Sequence, residues 1–108
     1  MLSEQEFRVK SDEALGAARQ KLLPLADEAS FEVELQNGVL DLVFEDPRES
    51  KFVVSPNAPV RQIWVSAMSR SYKLAWDEER KLFALNGESL IDLLTRLAKE
   101  FLRADDED

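Results

Sequence analysis

The groups available for chemistry in this chain are almost all oxygens. Its 108 residues include 22 Asp and Glu, 14 Lys and Arg, a single Tyr, and neither Cys nor His. Without thiolate or imidazole, nearly every zinc, copper, haem and iron–sulfur ligand set is excluded, together with cysteine and serine–histidine catalysis. A disulfide framework is excluded as well, so burial must hold the fold. Any metal ion bound here must be held by oxygen, and clustered carboxylates suit hard cations such as calcium, magnesium, manganese or iron, taken weakly at an open surface.

Two groupings stand out. Glu6 and Glu13 lie seven apart on one flank of a predicted first helix, Asp27 and Glu28 follow in the connection, and Glu32 and Glu34 alternate on the outer side of a predicted strand. These form one ridge if the helix packs beside that strand. The plainer alternative is ion pairing, because Lys10 stands four residues after Glu6 and three before Glu13. The second grouping is Gln62-Ile63-Trp64-Val65-Ser66, whose alternation puts Ile63 and Val65 on one face and Gln62, Trp64 and Ser66 on the other. An outward Trp64 with Arg61 beside it has the composition of an interface anchor; the alternative packs Trp64 across the sheet on Val43 or Tyr72. No local signature joins the carboxylates, lysines and tyrosine into catalytic machinery. Gly16, Gly38 and Gly87 stand too far apart for a phosphate loop or dinucleotide fingerprint.

The net charge of −8 disfavours binding to a nucleic-acid backbone. Its distribution is uneven: residues 1–49 carry −7, residues 50–104 carry +3, and the tail Asp105, Asp106, Glu107, Asp108 adds −4. This asymmetry predicts an acidic edge that meets cations or a basic partner, with another face neutral to mildly basic.

The elements that position these groups follow from period and punctuation. Ser3-x-x-Glu6 is a capping box opening a helix over roughly residues 4–23, with Phe7, Ser11, Ala14, Leu15, Ala18 and Leu22 as its buried stripe and Pro24 discouraging continuation. Phe31, Val33 and Leu35 then alternate with polar residues as a strand, and Asn37-Gly38 turns it into a second strand over about 39–45. Further strands are predicted near 51–55, 60–67, 72–76 and 81–85, with Ser55-Pro56-Asn57-Ala58-Pro59 as a rigid loop. Ser89-x-x-Asp92 opens a last helix on the stripe Leu90, Leu93, Leu94, Leu97, Phe101. The expected fold is α+β, with both helices on one face of an antiparallel sheet of about six strands, in the order helix, strands, helix. Residues 1–104 make one domain and 105–108 a disordered acidic tail. The opening Met1-Leu2-Ser3-Glu4-Gln5-Glu6 lacks a signal peptide's features and no apolar run approaches a membrane span, which predicts a cytoplasmic protein with no membrane or nucleic-acid partner.

Several of these residues recur together in a known pattern. The opening helix, the Asn37-Gly38-Val39-Leu40 turn, Pro59-x-x-Gln62-Ile63-Trp64-Val65-Ser66, Tyr72, Gly87-Glu88-Ser89-Leu90 and Leu93-Leu94 resemble the frataxin family, in particular its bacterial CyaY-type members. The resemblance implies a helix–sheet–helix sandwich that binds iron weakly through carboxylates. It implies a non-enzymatic role in iron–sulfur cluster assembly, as iron donor or as regulator of the cysteine desulfurase and scaffold machinery. Glu28, Glu32 and Glu34 fall on acidic-ridge positions, with Glu6, Asp12, Asp27 and Glu45 near them; together with Glu13 these are the candidate ligands for Fe²⁺ or Fe³⁺. Gln62, Trp64 and Arg61 are the candidate partner contacts. The ridge is thinner than usual for bacterial members, since the first helix ends in Gln20-Lys21-Leu22-Leu23-Pro24-Leu25-Ala26. A monomer is expected, with oligomers where iron is in excess. The competing readings are a protein-binding module with incidental metal affinity and, third, a ferroxidase-like oxidation of Fe²⁺.

Overall fold

The structure, a computed structural model, describes residues 2–103. The acidic tail expected to be disordered therefore lies outside the described residues. The order is α1 (Glu4–Ala29), β1 (Glu32–Gln36), β2 (Val39–Phe44), β3 (Ser50–Asn57), a 3-10 turn at Ala58–Val60, β4 (Gln62–Ala67), β5 (Arg70–Asp77), β6 (Leu82–Leu85), β7 (Glu88–Ser89) and α2 (Leu90–Arg103). The strands form one antiparallel sheet in sequence order, β1 to β7, each paired with its chain neighbour. Among the described residues no helix is long and apolar enough to cross a membrane.

The capping box forms as expected: the Ser3 hydroxyl accepts from the Glu6 amide at 3.1 Å, and Glu6 Oε1 accepts from the Ser3 amide at 2.9 Å. The helix nevertheless runs straight through Pro24 to Ala29. Proline costs a helix the hydrogen bond to the carbonyl four residues back. Here the ring lies on the solvent side, where water can satisfy that carbonyl, while Leu22 and Ala26 continue the buried stripe on either side of it. Burial of the extra turn outweighs the local penalty. Asp27 and Glu28, expected in a connection, thus sit on the last helical turn, which Ser30 closes in the left-handed conformation (φ 61°) by donating its N–H to the Ala26 carbonyl.

Among the described residues the sheet has seven strands, one more than the about six read from sequence. Asn86 and Gly87 both take positive φ (51° and 82°) and make a second tight hairpin, adding the two-residue strand β7. Ser89 still caps the following helix, its hydroxyl accepting from the Asp92 amide at 3.2 Å. The loop expected at Ser55–Pro59 is instead the end of β3, with Pro56 opposite Ile63, followed by the 3-10 turn. β2 pairs with β3 only as far as Val54. Beyond that point one side of β3 has no ladder, and a proline removes no needed donor there.

Alternation along the strands sends Leu40, Leu42, Phe44, Phe52, Val54, Ile63, Val65 and Leu74 to the helical side. There they meet the stripes of α1 and α2 in one core. Phe44 is its aromatic hub, with ring centroids 4.6 Å from Phe31, 4.9 Å from Phe52 and 4.6 Å from Phe101. Both helices lie on this one side, so among the described residues nothing covers the opposite sheet face.

Candidate functional site

The first Asn-Gly hairpin fixes what that open face carries. Asn37 and Gly38 take φ 53° and 76°, and the register that follows sets Gln36 against Val39, Glu34 against Asp41 and Glu32 against Val43. Glu32 and Glu34 therefore point outward beside Asp41, with two carboxylates directly opposed across the β1–β2 pair. Asp41 was absent from the candidate residues drawn from sequence. The signal was present, since a two-residue turn at 37–38 forces residues 34 and 41 to pair. Glu45 follows β2 at the end of the hairpin where the chain enters β1 from the Asp27 and Glu28 turn of α1.

The single ridge divides in two. Glu6 and Glu13 lie on the flank of α1 turned away from β1: Glu13 lines a groove of about 310 Å³ with Trp76, Leu82 and Ile91, and Glu6 lies near enough to Glu78 for the two carboxylates to repel. Asp12, one residue and about 100° around the helix from Glu13, faces the hairpin, lining a cleft with Arg8, Asn37 and Gly38. Glu6 is committed to its cap, and hydrogen bonds from the Ser3 backbone and side chain hold its carboxyl below the ordinary glutamate range. Glu13 pairs with Lys10 at 3.7 Å, the alternative weighed from sequence.

Pairing separates the remaining acids. Glu4, Glu13, Glu78, Glu88 and Glu100 each stand within 4 Å of a lysine or arginine. Among the described residues, Asp27, Glu28, Glu32, Glu34, Asp41 and Glu45 have no such partner. Asp27 and Glu28 also stand at the negative pole of α1, whose last turn holds no basic residue. These six stand on the β1–β2 hairpin and the adjoining end of α1, and Asp12, Asp46, Glu49, Asp77, Glu79 and Asp92 likewise form no ion pair among the described residues. Among the described residues no three acidic side chains converge into a closed metal cage.

Trp64 lies on the open face, 37% exposed, with Ser55 of β3 and Lys73 of β5 as its cross-strand neighbours. The alternative packing on Tyr72 or Val43 does not occur. Tyr72 pairs with Val65 and packs against the core, and Val43 lies on β2, which β4 does not touch. The indole N–H donates to Gln62 Oε1 at 2.9 Å, and the Lys73 ammonium stands 4.9 Å from the ring centroid. Arg61 is differently employed. Its Nε donates to the Leu2 carbonyl at 3.2 Å and a second guanidinium nitrogen donates to the Ala58 carbonyl, so it ties the start of the chain to the 3-10 turn.

The comparisons with known proteins agree with this architecture. The family model described as a frataxin-like domain matches residues 1–104. The chain is 33% identical over 93 residues to the iron-sulfur cluster assembly protein CyaY of Pseudomonas syringae pv. tomato, covering 82% of this chain and 83% of that protein. It is 30% identical over 103 residues to the protein of the same name from Pseudomonas fluorescens strain Pf0-1, covering 92% and 88%. Among solved structures, the frataxin of Psychromonas ingrahamii superposes with a TM-score of 0.67 at 17% identity, over 96% of this chain and 93% of that one. The helix–sheet–helix layering, the outward tryptophan on β4 and the match over residues 1–104 have one reading: this chain belongs to the frataxin family.

Proposed function

We propose that the protein acts in iron–sulfur cluster assembly as a non-enzymatic carrier of weakly held iron and regulator of the cysteine desulfurase. Relatives named iron-sulfur cluster assembly proteins support the process. The observation that carries the reading is the set of carboxylates without an ion-pair partner among the described residues, Asp27, Glu28, Glu32, Glu34, Asp41 and Glu45, on the β1–β2 hairpin and the adjoining end of α1, with Glu34 and Asp41 directly opposed. Uncompensated carboxylates at an open surface attract Fe²⁺ and release it readily, as cargo requires, and the same field draws in a basic protein surface. Trp64 supplies the apolar anchor of that docking. Anaerobic titration with Fe²⁺ tests the iron role: amide signals of Glu32, Glu34 and Asp41 broaden first, and broadening confined to other residues refutes it. Cluster reconstitution on a scaffold protein, with and without this chain at several iron concentrations, separates donation from inhibition by the sign of the rate change.

A second reading, a protein-binding module whose metal affinity is incidental, is favoured by the absence of three converging carboxylates among the described residues. It requires Trp64→Ala to abolish desulfurase binding while neutralising Glu28, Glu32 and Glu34 leaves it intact.

A further inference from the structure

The open sheet face changes sign from one edge to the middle. Over β1 and β2 it presents Glu32, Glu34 and Asp41; over β3 to β5 it presents Lys51 and Lys73, with Asp77 at the far end of β5, where its carboxylate accepts from the Glu79 and Arg80 amides of the turn. Neither lysine has a carboxylate partner among the described residues. Register sets Ser55, Trp64 and Lys73 in one row across β3, β4 and β5, and Val53, Ser66 and Ser71 in the next. The six line a shallow depression of about 410 Å³. Within it the hydroxyls of Ser55, Ser66 and Ser71 make no hydrogen bond to any described residue, leaving three donors beside one ammonium.

Resting on the reading that the Trp64 face docks a partner, we propose that this depression receives a carboxylate-bearing segment of the partner protein, held between Lys73 and the hydroxyls of Ser55, Ser66 and Ser71. A carboxylate accepts up to about four hydrogen bonds, and this seat offers donors with no competing acid in its lining. The Trp64 ring forms one wall. Its N–H is already taken by Gln62 and its face is met by Lys73, so the ring is held in place before the partner arrives. The partner surface is accordingly two-signed: basic where it covers β1 and β2, acidic where it covers β4 and β5. Opposite polarity at two points on one face fixes the orientation of docking, which a single acidic patch cannot do.

The test has two arms. In the first, a blocked tetraglutamate peptide is titrated into the protein by NMR against a tetraglutamine peptide. The acidic peptide shifts the amides of Ser66, Ser71 and Lys73 and the Trp64 Nε1 signal, and the neutral one does not; equal shifts with both peptides, or shifts spread over all surface lysines, overturn the proposal. In the second arm, a purified bacterial cysteine desulfurase is bound to the parent and to variants whose fold is checked by circular dichroism. Lys73→Glu places like charge against the incoming carboxylate and weakens binding about tenfold or more, with Lys73→Met in between. Normal binding of Lys73→Glu beside lost binding of Trp64→Ala overturns the carboxylate seat and leaves the docking face standing. Normal binding of both overturns the docking face itself. Self-association of the parent that Lys73→Glu abolishes makes the occupant a second copy of this chain, and overturns the proposal too.

Discussion

Glu34 and Asp41 oppose each other across an antiparallel pair and neither forms an ion pair among the described residues, so neutralising one of them should stabilise the fold. Side chains directly opposite in such a pair have Cβ atoms about 5 Å apart. At that separation two unit charges in water repel by about 0.8 kcal/mol. A Debye length of about 8 Å at physiological salt reduces this to roughly 0.4 kcal/mol. Asp41→Asn, nearly isosteric, should recover that amount, which for a domain of this size raises Tm by about 2–3 °C. In 1 M salt the repulsion falls to about 0.2 kcal/mol, so about half of the gain disappears. Thermal unfolding of the parent, Asp41→Asn, Glu34→Gln and the double variant at low and high salt reads both effects. The double variant should gain less than the sum of the singles, because either neutralisation already removes the shared repulsion. The same substitution should weaken Fe²⁺ binding, giving stability and function opposite signs. A destabilised Asp41→Asn, or a gain equally large in 1 M salt, refutes the reasoning.

Phe44→Ala should cost about 3–5 kcal/mol, since it empties the hub between Phe31, Phe52 and Phe101, and chemical denaturation should show a far lower midpoint. Asp27→Lys should stabilise α1 by about 0.3–1 kcal/mol at low salt, by placing a cation at its carboxyl end, while slowing association with a basic partner; stopped-flow binding and thermal melts report the two. Arg96 donates two hydrogen bonds to Glu88, at 2.9 and 3.0 Å, and holds its carboxyl below the ordinary range. That contribution is present above the unfolded glutamate pKa and is lost as pH falls through the lower folded value, so Arg96→Met should flatten the acid limb of a stability–pH curve.

What the sequence disclosed depended on how local the cause was. The capping box at Ser3 and Glu6, the hairpin at Asn37-Gly38 and the outward side of Trp64 are each decided within a few residues, and each was readable. Pro24 was misjudged because the local rule says stop, whereas burial of Leu22 and Ala26 against distant strands keeps the helix going. The division of the ridge had the same origin. Spacing put Glu6 and Glu13 on one flank, but only the packing of α1 on the sheet decides that this flank faces Trp76 and not β1. The omission of Asp41 and of β7 was different, because in both cases an Asn-Gly turn already carried the register. Arg61 was read from its neighbourhood to Trp64, while its donors serve carbonyls at Leu2 and Ala58 that sequence distance conceals.

The two tryptophans stand on opposite sides of the same sheet, Trp64 on the open face and Trp76 among the packed residues of the helical side. The chain thereby carries two built-in optical reporters with separate environments. Trp64, partly exposed, should emit to the red of Trp76 and shift to the blue when a partner excludes water from it. Trp76, 5.1 Å from Phe83 in an edge-on arrangement, answers instead to loosening of the layer beneath the helices. In a Trp64→Phe background the remaining emission follows loosening of the layer beneath the helices, and in Trp76→Phe, under conditions where the fold is intact, it follows docking, so one instrument can watch the two events without any attached dye.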